Sequence, residues 1–197
     1  MSCKVGITGG IGSGKTSICM IFETLGVPVY YSDMRAKQLM NTNSELKAAI
    51  SDCFGNGIYC NGTLDRRKLA EIVFNDRIAL EKINSLVHPA VFRDFEHWHS
   101  QQTTPYTIEE SAIIFESGIA ERFDKIILVT APENIRIERV CSRDNVAPET
   151  VSQRIRNQMP DVEKIPQVDY VIYNDNVEMV IPLVMAIHKS LSIPPTI

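Results

Sequence analysis

"GITGGIGSGKTS", residues 6–17, places five glycines ahead of or within a run that ends in Lys15, Thr16 and Ser17, directly after an apolar segment. Glycine is costly to order, so such a cluster needs a backbone reason: a tight path with positive φ, or close approach to a bulky ligand. Gly9, Gly14, Lys15 and Thr16 satisfy GxxxxGK[ST]. In that loop successive backbone N–H groups cradle phosphates, the lysine reaches the terminal ones and the hydroxyl holds Mg²⁺. The required context is a strand before the loop and a helix after it. "KVGIT" is short and β-branched, and Ile18, Ile21, Phe22 and Leu25 recur at helical spacing until Gly26 stops the helix. The free N–H groups and positive end of that helix then face the loop, where an anion belongs. A turn that merely joined strand to helix leaves the register of Gly14, Lys15 and Thr16 unexplained.

Working outward, "VPVYYS" (27–32), "SAIIF" (111–115), "KIILVTA" (125–131) and "DYVIY" (169–173) read as further buried strands, the last followed by an apolar helix from about 177 to 191. Strands alternating with helices predict an α/β fold, a doubly wound five-stranded parallel sheet. Between the second and third strands the chain is far longer than one crossover needs. It reads as helices from Asp33, around 44–54, after Asp65, after Asp76 and from Pro89. The single domain, 1–197, is thus divided into a nucleotide core (1–38, 105–131, 165–197), a helical insertion (39–104) and an arginine-rich helical pair (132–164) started by Pro132 and Pro148. A phosphoryl-transfer enzyme needs a cover that excludes water, so the pair is expected to be a lid. "SIPPTI" at the end is expected to be a loose tail.

With 197 residues, 44% hydrophobic and 22% charged, the chain has an ordinary globular composition. A net charge of -4 with no long basic block argues against nucleic acid or a membrane surface as the main partner. No run approaches a membrane span and no signal-type segment precedes the first strand, so a cytoplasmic location is expected, with no assembly beyond the monomer called for. Five scattered cysteines without a CxxC pair fit reduced thiols, read as small apolar residues.

Phosphoryl transfer depends on positioning and charge neutralisation, so few side chains are needed. Lys15 and Thr16 supply two. Asp33 follows the C-terminal end of the second strand, where ligands of open α/β sheets bind, and so is the candidate acceptor-orienting carboxylate; an N-cap for the next helix is the competing reading. Arg139 and Arg143 lie four apart on one helical face, matching an anionic partner or, given Glu138 and Asp144, solvated charge. Glu116 is either a partner to Mg²⁺-bound groups or a plain strand-end acid. Arg66 opens a helix against the dipole, which suits a nearby anion. His88 suits a ligand donor or a cap equally. His97 and His99 do not share a helical face and read as surface residues.

Taken together, "GITGGIGSGKTS", "LGVPVYYSD", "DRRKLAEIVFND", "INSLVHPAV", "AIIFESG", "RVCSRD" and "QMPDVEK…DYVIYN" resemble the dephospho-coenzyme A kinase family over nearly the whole chain. The resemblance implies a P-loop kinase fold and transfer of the ATP γ-phosphoryl group to the ribose 3′-hydroxyl of dephospho-coenzyme A. It implies that Gly10, Ile11, Gly12, Ser13, Gly14, Lys15, Thr16 and Ser17 hold ATP, with Thr16 on Mg²⁺. Asp33 would be base or orienter, Arg139 or Arg143 would steady the phosphates, and Arg66 and His88 would hold the acceptor. Three positions depart from the family pattern: Tyr31 stands for the first aspartate of Asp-x-Asp, Ala112 for a proline and Tyr173 for an aspartate. The nearest rival is a kinase for another small acceptor, such as a nucleoside monophosphate. A regulatory GTPase would need a guanine-reading NKxD, which is missing.

Overall fold

The apolar run before the glycines forms β1 (Cys3–Thr8), and the computed structural model describes residues 2–74 and 76–193 around it. Strands β2 (Val29–Tyr31), β5 (Tyr106–Glu110), β6 (Lys125–Thr130) and β7 (Tyr170–Tyr173) join β1 in a parallel sheet of order β2-β5-β1-β6-β7. The phosphate loop therefore leaves the central strand, whose register pairs Cys3 with Tyr106 and Thr8 with Leu128. The described residues of 2–31 and 102–193 form one compact unit around this sheet, and Ser32–Gln101 form a second.

In the first unit, helices α1 (Lys15–Thr24) and α9 (Val180–Ser192) cover one face of the sheet. Ile18, Cys19 and Phe22 from α1 and Val184 and Ile187 from α9 pack against Val5, Ile7, Ile108, Ile127, Val129 and Ile172. Alternate strand residues face the same way, which is why odd positions of β1 dominate this core. On the opposite face a Cβ at Gly6 would stand 2.8 Å from Ile114 Cδ1 and 3.1 Å from the Phe123 ring, so only glycine lets that segment close down. Helix α1 ends in a Schellman motif: Gly26 at φ +81° donates its N–H to Glu23 and Val27 donates to Phe22. Between β6 and β7 run α6 (Glu133–Asp144), α7 (Pro148–Arg156) and the short α8 (Asp161–Lys164).

The second unit contains α2 (Ser32–Thr42), α3 (Ser44–Phe54), the hairpin β3 (Tyr59–Cys60) and β4 (Thr63–Leu64), α4 (Arg66–Phe74) and α5 (Arg77–Ser100). It has its own core of Leu39, Leu46, Ile50, Ile58, Leu64, Leu69, Ile83 and Val87. Asn43 and Asp76 cap α3 and α5, and Asp65 Oδ1 accepts from the Lys68 N–H at the start of α4. The unit runs from 32 to 101, against the 39–104 expected for the insertion, because α2 packs on α3 and α5.

Four local expectations are corrected. The third sheet strand is "YTIEE" (106–110), not "SAIIF": all five of its residues are buried, including Thr107, Glu109 and Glu110, whose polarity masks the strand in a search for apolar runs. No helix starts at Pro89. It lies inside the 24-residue α5, where its ring removes the N–H that would reach the Ser85 carbonyl without ending the helix. The insertion is not wholly helical, since Asn61 (φ +49°) and Gly62 (φ +78°) turn the chain into a hairpin of the type favoured by Asn-Gly. Cys60 is exposed, unlike an apolar core thiol. The tail expected at 192–197 falls, from 194 on, outside the described residues.

Candidate active site

Gly14 is the N-cap of α1 at φ +93°, no side chain caps the helix, and its first turn carries no acidic residue. The first-turn N–H groups and the positive end of the dipole are thus directed at the loop. The loop turns through the Ser13 N–H to Gly10 carbonyl bond at 3.1 Å. Gly9 (φ +150°) and Gly12 (φ +80°) adopt angles that other residues resist. Gly10 is needed for another reason: a Cβ there would run into the Arg136 guanidinium, and one at Gly14 into the Asn174 carboxamide. Lys15 is buried, and its Nζ donates to the Gly9 carbonyl at 2.8 Å, within the curve of the loop. Thr16 and Ser17 are exposed. The buried Ser13 hydroxyl has no hydrogen-bond partner among the described residues.

The two arginines of α6 are placed differently. Arg139 Nη1 approaches the Gly12 and Ser13 carbonyls at 3.4 Å, and Nη2 donates to the Asn174 carbonyl at 2.9 Å and to Asn176 Oδ1 at 2.6 Å. All these acceptors are neutral. Arg143 instead forms a two-point pair with Asp144 at 2.7 and 3.0 Å. That hydrogen-bonded pair holds the Asp144 carboxyl below the usual carboxylate range. Ile135, Glu138, Arg139, Ser142, Arg143 and Asn176 line an open cleft of about 360 Å³. Glu116 is no strand-end acid: it lies beyond β5 and accepts from Lys164 Nζ at 2.9 Å and from the Met159 N–H at 3.0 Å.

In the second unit Asp33 is exposed in the first turn of α2. Because α2 starts at Ser32, Asp33 lies within the helix and is not its N-cap. Arg66 is exposed as the first residue of α4. His88 is half-buried inside α5, where desolvation lowers its pKa, and it caps nothing. His97 is exposed, whereas His99 stacks on Phe95 with ring centroids 5.8 Å apart.

The family model for dephospho-CoA kinase matches residues 3–179. The chain belongs to the dephospho-CoA kinase family. It is a kinase of that family, 39% identical over 186 residues to a dephospho-CoA kinase from Bacteroides fragilis, covering 94% of this chain and 91% of the relative. A crystal structure from Thermus thermophilus superposes with a TM-score of 0.81 at 33% identity over 96% of both chains. The dephospho-CoA kinase from Campylobacter jejuni shares the fold, with a TM-score of 0.63 at 21% identity over 97% of this chain and 98% of that one.

Nothing in the local sequence says what several polar residues around this kinase's phosphate loop touch. Asn174 Nδ2 donates to the Ser13 carbonyl at 2.8 Å from the end of β7. Gln158 accepts from the Ile11 N–H, and Arg136, nearly buried, donates through Nε to the Ile11 carbonyl at 2.9 Å. Arg136 also faces Asp161, to whose Oδ2 Thr130 donates at 2.5 Å. The fully buried Lys164 is the partner of Glu116. The "QMPDVEK" segment of the family resemblance held three of these residues, but nothing in its spacing says what they touch.

Proposed function

We propose that this kinase transfers the γ-phosphoryl group of ATP to the ribose 3′-hydroxyl of dephospho-coenzyme A, giving coenzyme A and ADP. The observation that carries the reading is the uncapped N-terminus of α1 behind a loop with positive φ at Gly9, Gly12 and Gly14, in a chain matched by the family over residues 3–179. Residues 10–17 bind the ATP phosphates through backbone N–H groups, and the buried Lys15 offsets their charge. The cleft beside Arg139 and Asn176 takes the nucleoside part. Asp33 orients the acceptor hydroxyl and takes its proton as the bond to phosphorus forms. Arg139, with Arg143 on the same helix, stabilises charge on the transferring group, while Arg66 and His88 hold the acceptor. The segment 132–164 covers the nucleotide.

The Thr16 hydroxyl, exposed in the first turn of α1, is a hard oxygen donor and fits Mg²⁺ held jointly by the phosphates. When bound, the ion supplies further neutralisation of phosphoryl oxygens. The five free thiols suit a reducing compartment, and the kinase is placed in the cytoplasm on that ground.

The test is ADP release with Mg·ATP and dephospho-coenzyme A, AMP, CMP or no acceptor. Release that requires dephospho-coenzyme A, with a 3′-phosphorylated product, is expected. Transfer to AMP or CMP would overturn the acceptor and leave the loop reading intact.

A further inference from the structure

A chain of polar contacts runs from the α7–α8 turn to the phosphate loop. Ile11 sits between Gly10 and Gly12, in the stretch of backbone with the greatest freedom to reorient. Its N–H donates to Gln158 Oε1 at 2.8 Å, and its carbonyl accepts from Arg136 Nε at 2.9 Å. These groups belong to the two peptide planes that flank Ile11, so the two side chains together fix its φ and ψ. That fixes the peptide plane from which the rest of the loop, Gly12 onward, continues.

Both arms of this clasp are anchored. The Gln158 N–H closes onto the Ile155 carbonyl at 3.0 Å, and the next residue, Met159, is tied to Glu116, which also holds the fully buried Lys164. Arg136 is 7% exposed and faces Asp161 at 3.6 Å. The chemistry of residue 158 is informative. A carboxylate would accept the Ile11 N–H more strongly than a carboxamide, so loop stability alone would favour glutamate. A neutral acceptor holds the amide without placing negative charge beside the loop.

We propose that Gln158 is a positioning residue for the nucleotide: its carboxamide aligns the phosphate loop through Ile11 without adding a second carboxylate to that of Asp161 beside the loop. The inference rests on the nucleotide-binding reading but not on the identity of the acceptor.

The experiment measures ADP affinity by calorimetry, thermal midpoint, and the Ile11 amide resonance in the wild type, Gln158→Leu and Gln158→Glu. Losing one neutral hydrogen bond in Gln158→Leu is expected to weaken ADP by about three- to tenfold and to shift the Ile11 resonance. Gln158→Glu is expected to keep that resonance and the thermal midpoint, yet to bind ADP about tenfold more weakly at low salt, the loss shrinking as salt is added. The KM for ATP should rise in both variants while that for the acceptor stays constant. A Gln158→Glu variant with wild-type ADP affinity would overturn the proposal and leave residue 158 a structural tie, and this variant decides the matter even if Gln158→Leu fails to fold. Failure of the wild type to bind ADP would overturn the nucleotide reading and this inference with it. ADP binding combined with transfer to a different acceptor would overturn the acceptor alone.

Discussion

At Asp33 the chain places an exposed carboxylate in the first turn of α2, one step past the helix start, so a capping role does not account for it. Asp33→Asn is therefore expected to lower turnover by about 10²- to 10⁴-fold while the KM for ATP stays within about twofold, as steady-state kinetics will read. Wild-type turnover would remove the residue from the mechanism. The thiols make a second residue-scale prediction. Burial, reinforced by Asp124, pushes the Cys3 thiol up to about 11, and burial with the charge of Glu110 raises Cys19 further. Cys60 is exposed. A thiol reagent at pH 8 should modify Cys60 well before Cys3 or Cys19, as peptide mass mapping will reveal.

Among the elements, α8 is held at its C-terminal end by the Lys164–Glu116 ion pair. The Lys164 side chain is fully buried and that of Glu116 is 22% exposed, so the two partners differ in what their loss leaves behind. Glu116→Gln strands a buried ammonium and should cost about 3 kcal/mol, whereas Lys164→Met removes the charge and should cost less; denaturant melts of both variants test that order. Helix α5 adds a pH dependence. Desolvation lowers the His88 pKa below its ordinary 6.5, so the folded chain binds this proton less readily than the unfolded chain. Stability from this group is present above about pH 6.5 and is lost as pH falls below it, and His88→Asn should flatten that part of a thermal-midpoint profile. The elements also mark where sequence reading succeeds. The phosphate loop is legible because its glycines, lysine and threonine occupy consecutive fixed positions. Strand β5 is misplaced because Glu109 and Glu110 lie buried inside it, and α5 is split because proline usually ends a helix. The hairpin had a signal in Asn61-Gly62 that the surrounding helical pattern obscured. Gln158 and Lys164 were illegible for a simpler reason: their partners are 147 and 48 residues away.

Over the whole molecule, two separate hydrophobic cores lie in the two units, one around Phe22 and Ile127 and the other around Ile50 and Leu69. ADP at about 100 times its Kd adds about 2.7 kcal/mol to the folded state. For a chain of 197 residues that corresponds to a rise in thermal midpoint of about 5–10 °C, and hydrogen exchange should slow first in residues 9–17 and α1. Dephospho-coenzyme A alone should instead slow exchange in α4 and α5, where Arg66 and His88 lie. The position of β1 has a consequence during synthesis. This strand is synthesised before the other strands of its sheet but stands at the sheet's centre, and Cys3 pairs with Tyr106. At about 5–20 residues per second, β1 waits on the order of 5–20 s for its first neighbour on that side. Meanwhile residues 32–101 emerge without interruption and can close around their own core. Throughout the delay both edges of β1 are open to any other nascent strand, and Lys4, its single charged residue, is the feature that opposes such pairing.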